Sequence, residues 1–151
     1  MFVYKIEKKK YKKTYPPTGS TYVNGRWSTK DMWVVYTSEN IALAKLETLA
    51  NSGSNIPKDR FLLILDVSED APLIEVKVKD LPSNWADTPY PNELSKIIKG
   101  INETEKYVGA IVPSAQSPRE RNFLLLPDHP DFDKYITRVD DPDEYFDPRL
   151  K

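Results

Sequence analysis

Short apolar runs separated by prolines are the feature that most limits how this chain can fold. Thirteen of its 151 residues are proline, well above the roughly 5% of an average protein. Proline has no backbone N–H and interrupts helices and central strands, so the elements between prolines must be short. The length corresponds to a single domain, residues 1–151, that can bury a core without cross-links.

The spacing of apolar residues predicts an α+β domain. Residues 39–50 predict a helix, capped by Thr37 or Ser38. Its predicted apolar face consists of Ala42, Leu43, Leu46, Leu49 and Ala50. A second, shorter helix is predicted after the cap Asn92 and before Gly100. No regular strand–helix alternation is present, so we expect five or six short strands and two or three helices. The predicted strands are residues 32–37, 61–67, 73–79, 107–112, 123–126 and 135–139.

Composition excludes several function classes. Without cysteine the chain has no disulfide, thiolate nucleophile or cysteine zinc site. Its single histidine, His129, rules out a metal site built from histidines, and its turn-rich surroundings favour a role in bracing a loop. The longest apolar runs are far shorter than the roughly 20 residues that span a bilayer. With no signal peptide in the N-terminal residues, we expect a cytoplasmic protein without a metal.

Charge is unevenly distributed although the net charge is only −1. Six lysines lie within the first 13 residues, interleaved with tyrosines, and the C-terminal residues 140–147 are acidic. The lysine-rich N-terminal segment, the basic arm, is typical of a solvent-exposed edge of a strand or loop. It could also lie against the acidic tail of its own chain. Binding of nucleic acid or of a phosphate-bearing ligand is the third interpretation.

Four polar residues stand beside predicted buried elements. Arg26 follows Gly25, Tyr36 ends a strand, Glu47 borders the apolar face of the first helix, and Ser114 follows a strand. Each also fits a purely structural role. In the same order, these roles are a surface ion pair, a core residue, a charge at the border of the core and a turn residue. The residue pattern alone therefore predicts only an α+β domain.

Seven short blocks, spread over nearly the whole chain, carry a more specific signal. The first three read Gly-Arg-Trp-Ser, Val-Val-Tyr-Thr-Ser-Glu and Ala-Leu-Ala-Lys-Leu-Glu. The blocks are residues 25–28, 34–39, 42–47, 80–85, 111–115, 121–132 and 146–150. In amino-acid sequence and order these blocks closely resemble the RES domain family, which is named for its Arg, Glu and Ser. The corresponding blocks of that family typically have the sequences GRWN, VVYTS and ALALLE.

This resemblance implies a fold and a function. RES proteins are toxins of bacterial toxin–antitoxin pairs, with a fold similar to ADP-ribosyltransferases: one compact domain of short mixed or antiparallel strands. Members degrade NAD⁺ by hydrolysis or phosphorolysis, or ADP-ribosylate a protein. The implied partner is an Xre-like helix-turn-helix antitoxin that blocks the active site, and a homodimer is compatible with the family. Direct nucleic-acid binding is not implied.

The resemblance also implies site residues. Glu47 and Ser114 fall on the family's catalytic positions, and Arg26 and Tyr36 fall on positions that bind NAD⁺. Nicotinamide leaves NAD⁺ as a neutral amine and needs no general acid, so a site without histidine or cysteine suits this reaction. The oxocarbenium-like transition state needs a carboxylate, the role we assign to Glu47. Lys5 and Asn122 are the two further residues expected to bind NAD⁺.

Four positions depart from the family pattern. Lys5 replaces an arginine, Ser28 an asparagine, Asn51 a histidine and Leu126 an asparagine. Lysine cannot make the two-pronged phosphate contact of arginine. A second interpretation is therefore an interaction protein with the RES fold and little or no NAD⁺ turnover, which acts through its antitoxin.

Overall fold

The chain forms three helices and eight strands, and the α+β prediction is confirmed. A computed structural model describes all 151 residues. None of its helices is long and apolar enough to cross a bilayer. In chain order the elements are β1 (Phe2–Lys8), β2 (Val35–Ser38), α1 (Ile41–Ala50), β3 (Arg60–Val67), β4 (Leu73–Glu75), α2 (Glu93–Glu103), β5 (Gly109–Pro113), β6 (Arg121–Leu125), α3 (Phe132–Tyr135), β7 (Ile136–Asp140) and β8 (Asp143–Glu144).

All eight strands join one mixed sheet. Its order is β4-β5-β6-β2-β1-β3-β7, and β8 pairs with β3. Only the β4–β5 pair is parallel, and every other pair is antiparallel. The short strands follow from the frequent prolines, because Pro113 and Pro127 stand at or just beyond the ends of β5 and β6.

The sheet divides between β1 and β2. These strands share a single pair, Tyr4 with Ser38, whereas β1 pairs with β3 along its whole length. Beyond Tyr4 the strand β1 has no partner on its β2 side, so the two halves of the sheet separate. The separation opens a cleft that both strands border.

Three apolar clusters stabilise the sheet. The first spans the division, because it contains Val3 of β1 and Phe61 of β3 as well as Val35 of β2 and Phe123 of β6. The second packs Leu94 and Ile98 of α2 against Trp27 and neighbouring residues. A small third cluster lies under α1 and contains Ile6, Ala44, Leu62 and Phe146. The two halves therefore share an apolar cluster although a single residue pair joins their strands.

Strand β1 was not predicted from the sequence. Only Val3 and Ile6 are buried in it, and their spacing of three residues does not follow the period of two that marks a half-buried strand. The predicted strand 73–79 ends at Glu75 and continues as a 3₁₀ turn, so only its first half pairs with β5.

The predicted ends of two helices were wrong. Thr37 and Ser38 belong to β2, and Asn40 caps α1 by accepting a hydrogen bond from the Leu43 backbone at 2.8 Å. The helix α2 continues through Gly100 to Glu103, and Ile101 beyond the glycine still packs against the apolar cluster that contains Ile98. Asn92 precedes α2 without a side-chain capping bond.

The buried face of α1 also differs from the prediction. Leu43 and Ala44 are buried, but Ala42, Leu46 and Ala50 are exposed. Glu47, at the border of the predicted apolar face, instead lies on the face that borders the cleft. The helix is rotated because its inner side meets both a small apolar cluster and a polar cleft.

The basic arm lies against the acidic tail of the same chain, as one of the sequence-based interpretations predicted. Lys9 pairs with Asp143 at 3.2 Å and Lys12 with Asp141 at 3.5 Å. Exposed ion pairs of this kind typically contribute less than about 1 kcal/mol each to the free energy of unfolding. Burial of Phe146 in the cluster under α1 is the stronger attachment of the tail.

Replacing Phe146 with alanine should therefore destabilise the fold. The substitution removes an aromatic ring from a packed cluster, and we expect a loss of about 3 kcal/mol in the free energy of unfolding. Urea denaturation measures it. Tyr145→Ala is the matched control because Tyr145 is 71% exposed, and its loss should stay below about 1 kcal/mol. Equal losses for the two variants would contradict this assignment.

Candidate functional site

The cleft at the sheet division holds most of the residues predicted for the site. Its volume is about 890 Å³, within the range of small-molecule sites. Its lining includes Lys5, Arg26, Tyr36, Glu47 and Asn122. The remaining candidate, Ser114, is fully buried directly behind the wall and hydrogen-bonds Glu47. All six predicted residues are thus brought together.

The carboxylate of Glu47 is held by one of its two oxygens. Its Oε1 accepts a hydrogen bond from Ser114 Oγ at 2.6 Å and another from Asn122 Nδ2 at 2.8 Å. Its Oε2 makes no hydrogen bond within the chain. The arrangement fixes the orientation of a half-buried carboxylate and leaves one oxygen to contact a ligand.

The surroundings of Ser114 determine what its hydroxyl can do. Its Oγ accepts hydrogen bonds from the backbone N–H groups of Gln116 and Ser117, at 3.1 and 3.2 Å. A hydroxyl has one proton, and that of Ser114 is donated to Glu47. Ser114 is therefore placed to orient Glu47, and its hydroxyl is fully buried behind the wall of the cleft.

Tyr36 is fixed tightly against the loop that carries Arg26. Its hydroxyl lies 2.6 Å from Ser28 Oγ. A Cβ on Gly25 would come within 2.8 Å of the same hydroxyl, so no side chain fits there. Ser28 departs from the family's asparagine, yet it supplies a polar partner for Tyr36. Burial raises the pKa of Tyr36 above its ordinary value.

Arg26 reaches across to the proline-rich loop 81–91. Its Nη1 donates to the backbone oxygens of Trp85 and Asp87, at 2.8 and 2.7 Å. The ring of Tyr90 lies 5.6 Å from the guanidinium carbon. The Nε–Nη2 edge has no partner in the chain, so it can make a two-pronged contact with an anion.

The cleft carries an excess of positive charge. Five cationic side chains line it against two carboxylates, Glu7 and Glu47. The Nζ atom of Lys5 lies 3.9 Å from Oε2 of Glu7. At this distance the ammonium group can contact a ligand as well. Such a field attracts anionic ligands. The cations are Lys5, Lys8, Arg26, Lys58 and Arg60.

Sequence reasoning missed the loop that holds Arg26. Trp85, Asp87 and Tyr90 were assigned to a loop without a function. The available signal was a tryptophan and a tyrosine in a proline-rich segment, because exposed loops seldom need two large aromatic rings. Asn51, the family's histidine position, lines the cleft, and its amide donates to the Glu47 backbone oxygen at 2.9 Å.

His129 lies outside the cleft. Its ring is buried, and Nδ1 accepts a hydrogen bond from the Asp131 backbone at 3.0 Å. The prediction that it braces a loop is confirmed. The structure contains no group of three or more histidine, aspartate or glutamate side chains arranged to hold a metal ion.

Comparison with known proteins identifies the family. The model of the RES domain matches residues 2–147. The chain belongs to the RES domain family. Relatives named Toxin Res, from Yersinia enterocolitica and Photorhabdus laumondii, are 32% and 33% identical to it. The alignment covers 100% of both chains for the first relative, and 99% of this chain and 97% of the second relative.

Two further comparisons concern activity and fold. A Prs ADP-ribosylating toxin of a Sphingobium species is 30% identical over 75% of this chain and 72% of its own length. The crystal structure of the Mycobacterium tuberculosis MbcT–MbcA toxin–antitoxin complex contains a chain that matches with a TM-score of 0.70 at 13% identity. The match covers 99% of this chain and 85% of that one. The expected fold, that of ADP-ribosylating toxins, is confirmed.

The raised pKa of Tyr36 predicts how its contribution to stability depends on pH. Free tyrosine ionises near pH 10, and the folded RES domain keeps Tyr36 protonated to higher pH. Its stabilising contribution is complete below about pH 10 and is lost as the pH rises toward the folded value. The difference in unfolding free energy between wild type and Tyr36→Phe should therefore shrink above about pH 10.

Urea unfolding of wild type and variant between about pH 8 and pH 11 measures this difference. Tyr22→Phe, which removes a hydroxyl from a side chain that is 73% exposed, is the control for a hydroxyl outside the site. A Tyr36→Phe difference that stays constant across this range would show that the phenol does not titrate differently on folding.

Proposed function

We propose that this RES domain is the toxin of a toxin–antitoxin pair and that it consumes NAD⁺ by cleaving the bond between nicotinamide and ribose. Three relatives with toxin names support the first part, and the ADP-ribosylating relative supports the second. The observation that carries the proposal is the carboxylate of Glu47, held through Oε1 and unbonded at Oε2 on the wall of a positively charged cleft.

Glu47 stabilises the charge that develops during cleavage. As the bond between the ribose C1′ and the pyridinium nitrogen breaks, the bonding electrons leave with nicotinamide, which becomes neutral. Positive charge then develops on the ribose, and Oε2 of Glu47 stabilises it directly or through a ribose hydroxyl. Such fixed electrostatic stabilisation is worth several kcal/mol in a site with little water.

The other residues bind and orient the dinucleotide. The Nε–Nη2 edge of Arg26 contacts the diphosphate, and Lys5 adds a positive charge to the same cleft. Tyr36 stacks on the nicotinamide or its ribose, as its restrained ring permits. Ser114 and Asn122 both hold Glu47, so we assign both to the orientation of the catalytic carboxylate.

The acceptor of the ADP-ribosyl group distinguishes three reactions. Water gives ADP-ribose, inorganic phosphate gives a phosphorylated ADP-ribose, and a protein side chain gives a modified protein. In each case the acceptor oxygen or nitrogen bonds to C1′ and loses a proton to solvent. Incubation with NAD⁺, with and without phosphate or candidate protein, separates these reactions by their products.

Glu47→Gln tests the role of the carboxylate. The amide keeps the size of the side chain but loses its negative charge, so NAD⁺ turnover should fall about 10²- to 10³-fold. Nicotinamide release by purified protein is the measurement. Glu120→Gln is the matched control because this carboxylate bonds Asn40 outside the cleft. Wild-type turnover by Glu47→Gln would refute the assignment.

We further propose that the partner is an Xre-like helix-turn-helix antitoxin. The MbcT–MbcA complex supports a toxin of this fold with an antitoxin bound. We expect a helix-turn-helix protein to be encoded beside this chain, to co-purify with it and to suppress NAD⁺ consumption. Co-expression, size-exclusion chromatography and nicotinamide release provide the measurements.

Two outcomes of this experiment are informative. Failure of the two proteins to associate would contradict the assignment of the partner. Tight association without NAD⁺ turnover by the free chain would instead favour a RES-fold interaction protein.

A further inference from the structure

Asn122 can donate a hydrogen bond to Glu47 in only one of the two orientations of its side-chain amide. An ionised carboxylate accepts hydrogen bonds and donates none, so Asn122 must present its Nδ2 to Glu47, at 2.8 Å. Its oxygen then points away from Glu47. Because only 7% of Asn122 is exposed, an oxygen without a donor would carry a desolvation penalty.

Ser38 supplies the donor. Its Oγ lies 2.8 Å from Asn122 Oδ1, and the two residues are direct neighbours across β2 and β6. An amide oxygen only accepts, so the proton in this hydrogen bond must come from Ser38. Ser38 is itself buried, and no other hydrogen bond is made by its hydroxyl.

We propose that Ser38 is a positioning residue for the reaction: its hydroxyl fixes the amide of Asn122, and Asn122 in turn holds Glu47. Ser38 does not contact Glu47, and its effect passes through Asn122. This inference rests on the proposed function of Glu47. It adds a residue that the sequence-based site did not include.

The location of Ser38 gives this contact a second consequence. Ser38 also forms the single pair with Tyr4 that joins the two halves of the sheet. Its backbone therefore holds β1 and β2 together at the end of the cleft, while its side chain orients the residue next to Glu47. The geometry of the carboxylate is tied to the junction of the two halves.

Ser38→Ala should lower turnover more than binding. Without the donor, the Asn122 amide rotates or loosens and Glu47 loses one of two partners. We expect kcat for NAD⁺ cleavage to fall roughly tenfold, with KM changing less than about twofold because the hydroxyl of Ser38 is committed to Asn122. Ser38→Cys, close in size but a weaker donor, should give an intermediate kcat and serves as the second variant if Ser38→Ala fails to fold.

Thr37→Val is the matched control. The neighbouring Thr37 is equally buried, and its Oγ1 donates to the Phe123 backbone oxygen at 2.7 Å. This hydrogen bond joins the same two strands but does not involve Asn122. Thr37→Val should lower the thermal midpoint of unfolding and leave kcat within about twofold of wild type. An equal kcat loss in both variants would reduce Ser38 to a structural role and overturn the proposal.

A measurement without turnover separates this proposal from the function on which it rests. The side-chain amide protons of Asn122, observed by ¹⁵N NMR and assigned with Asn122→Ala, should exchange slowly with solvent in wild type and Thr37→Val. In Ser38→Ala their exchange should accelerate about tenfold. Slow exchange that survives in Ser38→Ala overturns the positioning role. Absence of NAD⁺ cleavage by wild type, with accelerated exchange in Ser38→Ala, refutes only the proposed function.

Discussion

The half-buried carboxylate of Glu47 is the constraint on which the arrangement of the site depends. A carboxylate removed from water needs hydrogen-bond donors, and a helix cannot supply them to a side chain on its own second turn. The donors come from Ser114 after β5 and Asn122 on β6, so these strands must lie beside α1. The packing of α1 therefore follows from polar as well as apolar contacts.

This requirement fits the division of the sheet. If β1 and β2 paired along their whole length, the space in front of Glu47 would be closed by a continuous sheet. They share only the pair Tyr4–Ser38, while one apolar cluster contains residues from both halves. This shared core makes the opening compatible with a stable fold, because it holds the halves together where backbone pairing does not. The cleft is thus a consequence of the topology.

The sequence predicted most of the apolar strands and the identity of the candidate site residues, but it did not predict how those residues are oriented. Strand β3 was predicted from a continuous apolar run, whereas β1 was missed because its two buried residues, Val3 and Ile6, do not alternate with polar ones. The resemblance to the RES family located Arg26, Tyr36, Glu47 and Ser114. It could not show that Glu47 faces the cleft, since Leu46 made the wrong face of α1 look apolar. Contacts between residues distant in sequence, such as Arg26 with loop 81–91, leave no periodic signal.

The ion pairs of the structure explain the uneven distribution of charge along the sequence. The acidic tail neutralises Lys9, Lys12 and Lys45 on the outside of the fold. Lys8, Lys58 and Arg60, which line the cleft, form no ion pair. A nearly neutral chain therefore presents a positive cleft, because its carboxylates are used elsewhere. Exposed charges beyond about 10 Å are screened at moderate salt, so the field within the cleft is set by its own cations far more than by the acidic tail.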